Sequence, residues 1–377
     1  MLSDYELTEL TQPIIAIYNQ IEMELLEKVA KRFDVYDKVG GSLEWQMRKL
    51  DELGALTNEA VKVISQMSKR SEKEIAKMLN DASIGNIDMG LLEEAYTNGF
   101  IFVDPQKLMQ SEALRATVEL SYKSLGKTYK LIQTKALEGA RQAYMDVINR
   151  AYIETASGIY DYNTSIRGAL RDMADQGITG ATYRRGNRIV KYSIEGAVRR
   201  DTITAVHQLA NKGAEQATKE IGAEYVEVSA HIGARVSKDP IANHAGWQGK
   251  VYKLDGSDKY PNLKEKTGYP DDIQGLGGVN CRHRMFPFFP GISVPNPYKV
   301  DPKENEKVYE ATQQQRAMER GIRATKKRLT VAKASGDMEK AKEYRTKLTA
   351  QQKQIEKFCK DNNLRRQTER EMVQEEY

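Results

Sequence analysis

Three of the four histidines and one of the two cysteines fall within a stretch of 53 residues, as His231, His244, Cys281 and His283. Imidazole nitrogen and thiolate sulfur are preferred ligands of Zn²⁺, and four of them would close a tetrahedral structural site. A metal would also stabilise a loop-rich segment that has little core of its own. The sequence therefore predicts a candidate zinc site, although the spacing differs from the common zinc-finger patterns.

Two other interpretations of these residues stay open. In the first, the side chains bind no metal, hydrogen-bond the loop backbone and pack the turns. In the second, they serve a hydrolase or nuclease that uses either a metal or Cys281 as nucleophile, because Arg282 beside it would favour the thiolate. No segment around Cys281 matches a known protease loop, so we expect the protein not to be an enzyme.

A second candidate for function is the basic C-terminal part of the chain. Residues 316–370 hold 17 Lys and Arg against 7 Asp and Glu. Such a segment can neutralise the phosphates of duplex DNA and bind the DNA backbone without sequence preference. A solvated helix surface is the alternative, because acidic residues are interspersed. The candidate DNA-binding residues are Arg316, Arg320, Arg323, Lys326, Lys327, Arg328, Lys340, Lys342, Arg345, Lys347, Arg365 and Arg366.

The other end of the chain is acidic, since residues 1–27 carry six Asp and Glu and no Lys or Arg. Ends of opposite charge favour two different partners. The spacing of Ile14, Ile17, Ile21 and Leu25 predicts an amphipathic helix. We expect this helix to pack on its own domain, with docking in the groove of a partner protein as the alternative.

The composition restricts the class of protein. A chain of 377 residues that is 40% hydrophobic and 29% charged is expected to fold into two or three domains. No apolar run approaches the ~18 residues that a transmembrane helix needs, so no membrane partner is expected. The N-terminal residues lack the basic start of a secretory signal, and two cysteines fit a reducing compartment.

Helical spacing dominates before residue 222 and after residue 302, apart from a glycine-containing basic link at 177–188. Eight of the ten prolines lie between Pro240 and Pro302, and β-prone runs occur at 225–229, 250–254 and 285–289. The predicted fold class is α+β and predominantly α-helical. Its three parts are a long helical N-terminal domain at 1–158, a small loop-rich α/β module at 159–302 and a basic helical tail at 303–377.

Two local signals add detail to this outline. Gly275-Leu276-Gly277-Gly278 is predicted to form a turn that needs positive φ, rather than a phosphate cradle, because no helix follows it. Ser335-Gly336-Asp337 is a turn signal inside the basic tail. The tail is therefore predicted to be a helical hairpin or a long broken helix.

Several distinctive blocks of sequence lie in the second half of the chain. They are VSAHIGAR at 228–235, NHAGWQGKVY at 243–252, GLGGVNCRH at 275–283 with PFFPG at 287–291, and QQQRAMERGIR at 313–323 with KKR at 326–328. These blocks resemble the minor capsid protein 2 family of tailed bacteriophages. The resemblance is strongest over residues 225–330, and the helical stretch before them is also similar to that of the family.

The resemblance implies a structural virion protein, assembled in the host cytoplasm and located in the head interior at the portal vertex. The implied partners are portal protein or major capsid protein, reached through the N-terminal helices, and packaged double-stranded DNA, reached by the tail. The family is similar to the Mu-F-type head-morphogenesis proteins, in which the corresponding block often carries Cys or His pairs. That similarity is consistent with a metal at His231, His244, Cys281 and His283.

Overall fold

The structure is a computed structural model that describes residues 4–35, 42–85, 87–108, 110–185, 188–296 and 299–373. About 66% of the chain is helical and the sheets are small, which confirms the predicted α+β, predominantly helical class. The helices are α1 (Asp4–Glu9), α2 (Gln12–Ala30), α3 (Ser42–Gly85), α4 (Met89–Thr97), α5 (Pro105–Leu108), α6 (Glu112–Ala156), α7 (Tyr162–Gln176), α8 (Ile194–Glu220), α9 (His244–Trp247), α10 (Leu263–Thr267), α11 (Pro302–Ala334) and α12 (Met338–Asp361), with a 3₁₀ turn at Thr368–Arg370. None of these helices is long and apolar enough to cross a membrane.

The strands within the described residues form two antiparallel sheets. Strands β1 (Thr179–Arg185) and β2 (Arg188–Ser193) pair as a hairpin. The other sheet has the order β4-β3-β5, with β3 at Tyr225–Val228, β4 at Val251–Lys253 and β5 at Met285–Phe288. Each of these three strands lies within a predicted β-prone run.

The prediction of a basic link at 177–188 is wrong, because β1 and the start of β2 occupy most of it. The side chains of β2 are exposed or half-buried, without a buried face. Strand β2 therefore lacks the alternation of apolar and polar residues by which a half-buried strand is recognised.

The chain divides into two compact units. The first unit contains Met1–Pro13, Lys73–Lys127 and Arg200–Gln313. The second unit contains Ile14–Glu72, Thr128–Arg199 and Gln314–Tyr377. The three-part division with boundaries after residues 158 and 302 stays a prediction.

The core of the first unit forms around the three-stranded sheet. Burial of each large apolar side chain in such a core stabilises the fold by about 1.5–3 kcal/mol. A second apolar cluster of the same unit lies around α4, α5 and the C-terminal part of α8. The sheet cluster contains Ala214, Val226, Val228, Trp247, Tyr252, Leu263, Tyr269, Leu276, Cys281 and Met285.

The core of the second unit includes helix α2. Twelve residues of this helix are buried, including the fully buried Glu22, so the helix packs within the chain itself. Glu22 of this helix pairs with Lys327, which lies outside the predicted N-terminal domain at 1–158, so the contacts of α2 extend beyond that domain. Aromatic pairs fill the rest of the core, with ring centroids 5.1 Å apart for Tyr18 and Tyr129 and 5.0 Å apart for Phe33 and Tyr144.

The glycine-rich segment before Cys281 is a tight turn, as predicted. Gly277 has φ +72°, a conformation that L side chains rarely adopt. A Cβ on Gly275 would lie 2.1 Å from the carbonyl oxygen of Thr267, so only glycine fits this close approach. The turn thereby directs the chain back toward β5.

Helices α11 and α12 form the predicted interrupted pair. Gly336 has φ +76°, and the Asp337 side chain accepts a hydrogen bond from the Lys340 amide as the N-cap of α12. The turn signal at 335–337 thus lies at the break between the two helices. The resulting segment carries most of the cations of the basic tail.

A candidate metal centre and a basic helix face

The pairing of β3 with β5 brings distant parts of the candidate metal centre together. The Ser229 amide donates to the Arg284 carbonyl at 2.7 Å, and the Arg284 amide donates to the Ser229 hydroxyl at 3.0 Å, which extends the pairing beyond the strands. The residues after β3 therefore lie beside those before β5. As a result the rings of His231 and His283 stack, with centroids 4.4 Å apart and planes 25° apart.

Three of the four predicted ligands form a tight group. His244, Cys281 and His283 each offer one ligand atom, and these atoms all lie within 4.8 Å of one another. The Sγ of Cys281 lies 3.7 Å from Nδ1 of His283. All three residues are at most 2% exposed. His231 lies outside this group and contacts it through its stacked ring.

A hydrogen bond determines which nitrogen of His283 carries its proton. The Oε1 atom of Gln248 accepts from the backbone amide of His231 at 3.0 Å, which identifies this atom as the amide oxygen. The same oxygen lies 3.0 Å from Nε2 of His283, and since it can only accept, Nε2 must donate. The lone pair of His283 therefore lies on Nδ1, the nitrogen that faces Cys281.

His244 follows the same pattern. Its Nε2 lies 2.7 Å from the carbonyl oxygen of Gln274 and donates to it, so its lone pair also lies on Nδ1. Burial, with a smaller effect of Arg235, lowers the pKa of His244 to about 4. Burial, followed by the other three histidines of the chain, lowers the pKa of His283 well below its ordinary value. Both rings are therefore neutral near pH 7, as metal ligation requires.

Helix α8 supplies two residues of this neighbourhood that the sequence prediction missed. The side chain of Asn211 donates to the His283 carbonyl at 3.1 Å and accepts from the Met285 amide at 2.9 Å. His207 lies one helical turn earlier and is fully buried. The i, i+4 spacing of His207 and Asn211 places them on one helix face, which is the sequence signal that could have identified them.

A stripe of exposed cations follows one face of α12. Successive members are three, four or eight residues apart, which places them on one side of a helix. Among the residues that the structure describes, no carboxylate forms an ion pair with any of them. The basic face consists of Lys342, Arg345, Lys353, Lys357 and Lys360.

The predicted DNA-binding residues differ in their exposure. Lys327 is buried. Arg328 forms an ion pair with Asp175, and Arg366 forms an ion pair with Glu371. The exposed members are Arg320, Lys340, Lys342, Arg345, Lys347 and Arg365. The half-buried members are Arg316, Arg323, Lys326, Arg328 and Arg366. Lys353, Lys357 and Lys360 are not among the predicted residues, and each continues the helical spacing from Lys342.

Lys327 belongs to a buried network of charges inside the second unit. Its Nζ lies 2.7 Å from Glu22 and 3.4 Å from Glu195. Arg323 and Arg199 pair with Glu195 at 2.7 and 3.4 Å. Burial raises the pKa of Glu195, but the three cations outweigh it and hold this pKa at about 2. The charge of Lys327 is thus neutralised inside the fold.

One protein family and two phage proteins are similar to this chain. A family model described as phage minor capsid protein 2 matches residues 2–360. A structural protein of Lactococcus phage LL-H is 25% identical over 344 residues, which cover 87% of this chain and 88% of that protein. A structural protein of Lactococcus phage mv4 is 29% identical over 116 residues, which cover 30% of this chain and 93% of that protein. No solved structure matches the chain.

Proposed function

The chain belongs to the phage minor capsid protein 2 family, and we propose that it is a structural virion protein located inside the head at the portal vertex. In this role it binds portal protein, or the major capsid protein, through its N-terminal helices and packaged double-stranded DNA through its basic tail. The family match carries the proposal of a virion component. Density for this chain at the portal vertex of an assembled particle is the direct test, and density only elsewhere would contradict the location.

The DNA contact is assigned to the basic face of α12. From Lys342 to Lys360 the helix rises about 27 Å, at 1.5 Å per residue. Five cations over this length can each approach a phosphate, and no described carboxylate offsets them within an ion pair. Lys327 is left out of the proposed surface because it is buried and paired with Glu22 and Glu195. Binding is therefore expected to be electrostatic and independent of sequence.

The salt dependence of DNA binding tests this surface. Five phosphate contacts predict a slope of about −4 to −5 in a plot of log K against log salt concentration. The triple variant Lys353→Gln, Lys357→Gln and Lys360→Gln should reduce the magnitude of this slope by about 3. Fluorescence anisotropy with two duplexes of unrelated sequence measures both effects.

A matched variant controls for net charge. Lys62→Gln, Lys69→Gln and Lys73→Gln remove three exposed lysines from α3, outside the basic tail. This variant should retain the slope of the unmodified protein. An equal loss in both triple variants would attribute binding to overall charge and would refute the assignment to α12.

Within the N-terminal helical part of the chain, the portal contact is assigned to the segment that joins α4 and α5. Phe102 in this segment is 91% exposed, and Phe100 beside it is 53% exposed. Exposed aromatic side chains are costly in water and commonly anchor protein interfaces. Phe102→Ser should therefore weaken copurification of portal protein by about tenfold or more. Val294→Ser removes another side chain that is 84% exposed, and equal weakening by this control would contradict the assignment.

The alternative of a metal-dependent or thiol hydrolase or nuclease has less support. His244, Cys281 and His283 are buried, and a substrate must reach a nucleophile or a metal-bound water in order to react. We therefore propose that the histidine and cysteine cluster has no catalytic role. Nuclease activity of the purified protein that disappears in Cys281→Ser but persists in Cys359→Ser would contradict this proposal.

A further inference from the structure

We propose that His244, Cys281 and His283, completed by His231, bind one Zn²⁺ that stabilises the loop-rich part of the first unit. The inference does not depend on the virion location or on the DNA contact. It rests on the convergence of the ligand atoms, the orientation of their lone pairs and the closed surroundings of the cluster.

The distances suit a tetrahedral ion. Ligand atoms about 2.0–2.3 Å from zinc lie roughly 3.3–3.6 Å from one another at tetrahedral angles. The Cys281 sulfur and His283 Nδ1 are 3.7 Å apart, close to such an edge. The three ligand atoms lie within 4.8 Å, so small side-chain rotations close the site. A hydrogen bond between thiol and imidazole would account for one of these distances, whereas zinc accounts for the convergence of all three groups.

The hydrogen bonds around the site are those of a metal-ligand second shell. Ligating histidines usually donate their other ring nitrogen to a carbonyl or carboxylate, which fixes the tautomer and the ring orientation. Gln248 accepts from Nε2 of His283, and the Gln274 carbonyl accepts from Nε2 of His244. Both histidines therefore carry their lone pair on Nδ1, and Nδ1 of His283 lies 3.7 Å from the Cys281 sulfur.

His231 supplies the fourth ligand. Its Nδ1 lies 3.1 Å from the Ile232 carbonyl and donates to it, which leaves the lone pair on Nε2. Its ring stacks on His283 with centroids 4.4 Å apart, and the proposed four-ligand site requires the His231 side chain to rotate so that Nε2 reaches the ion. The site is then four-coordinate and closed, as structural zinc sites are.

The surroundings also fit a structural site. The Trp247 ring lies 4.5 Å from the His244 ring and 4.8 Å from the His283 ring, measured between centroids, and excludes water from that side. An ion here joins α9 to the segment that precedes β5. The stretch between these two parts is rich in loops and has only short secondary-structure elements, so a metal ion that links its ends adds to the stability of the fold.

Metal analysis of the full chain tests the proposal without any variant. Protein purified without chelators should contain about one zinc per chain. After removal of zinc, Co²⁺ should give the visible absorption of a tetrahedral site together with a thiolate-to-cobalt charge-transfer band. Failure to bind zinc saturably, or a cobalt complex without the thiolate band, would overturn the proposal.

Variants then identify the ligands. Cys281→Ser should abolish the charge-transfer band and weaken zinc binding by more than about 100-fold, whereas Cys359→Ser, at the other buried cysteine, should leave both unchanged. Gln248→Leu should weaken zinc binding by about 10–100-fold through the second shell. Unchanged zinc affinity in His231→Ala would overturn the four-ligand site. A band that survives in Cys281→Ser but not in Cys359→Ser would refute the assignment of the sulfur ligand.

Discussion

Replacing Lys327 by Met tests the buried charge network of the second unit. The substitution keeps the length and the apolar stem of the side chain but removes the cation that lies between Glu22 and Glu195. The Glu22 side chain is 1% exposed, so water cannot replace the lost partner in the folded protein. Glu195 keeps two arginine partners, so the main consequence is a buried charge on Glu22 that has lost its cation and keeps the hydrogen bond from the Glu195 amide.

The expected loss of stability follows from these distances. At an effective dielectric constant of about 20, charges 2.7 and 3.4 Å apart attract by about 6 and 5 kcal/mol. Desolvation of Lys327 offsets most of this attraction, and removal of one partner from a buried pair costs about 3–5 kcal/mol. We therefore expect Lys327→Met to lower the free energy of unfolding by about 3–5 kcal/mol.

Urea denaturation followed by circular dichroism measures this loss. Lys333→Met removes an exposed lysine from the same helix and should change the free energy of unfolding by less than about 0.5 kcal/mol. Glu22→Gln combined with Lys327→Met removes both charges and should cost at least about 2 kcal/mol less than the sum of the single substitutions. A loss below about 1 kcal/mol for Lys327→Met, or strict additivity in the double variant, would refute the network.

Other predictions concern acid stability, a glycine turn and the support of the candidate metal centre. The folded-state pKa of Glu195 is about 2 rather than its ordinary 4.5, so this carboxylate should stabilise the fold by about 3 kcal/mol above pH 5. Denaturation curves should show this contribution disappear as the pH falls toward 2. The contribution should be missing at every pH in Glu195→Gln. Gly275→Ala should destabilise the protein by more than about 2 kcal/mol in thermal unfolding, since its Cβ would overlap the Thr267 carbonyl. Gly54 lies inside α3, and a Cβ added there would have no atom within 4 Å. Gly54→Ala should therefore stabilise the protein by up to about 1 kcal/mol in the same assay. Asn211→Ala removes two buried hydrogen bonds and should cost about 2–3 kcal/mol by urea denaturation; a loss under about 0.5 kcal/mol would show that these bonds do not hold the site.

Elements with strong local signals could be predicted from the sequence. The β-prone runs at 225–229, 250–254 and 285–289 contain β3, β4 and β5, and the turn signal at 335–337 lies between α11 and α12. Strand β2 of the hairpin was missed because its side chains have no buried face, so no apolar alternation marks it. For a strand, the local pattern is informative only where one face is buried.

The candidate metal centre was predicted in part. The residue types indicated His231, His244, Cys281 and His283, and the structure brings the last three within 4.8 Å. The roles of Gln248 and Asn211 could not be predicted, because an amide side chain carries no signal of its partner. The position of α8 decides that Asn211 meets His283, and the position of Gln248 at the end of α9 decides that its amide does so.

The family, the helical class and the charged ends follow from the sequence alone, because composition, motif blocks and spacing are properties of neighbours along the chain. The distribution of cations between surface and interior does not follow from it. Lys326, Lys327 and Arg328 are adjacent in sequence, but successive residues of a helix point about 100° apart. Lys327 therefore reaches Glu22, which lies 305 residues away in the chain, and becomes part of the interior. Only the tertiary structure decides which carboxylate a lysine meets, since that partner depends on packing between distant segments.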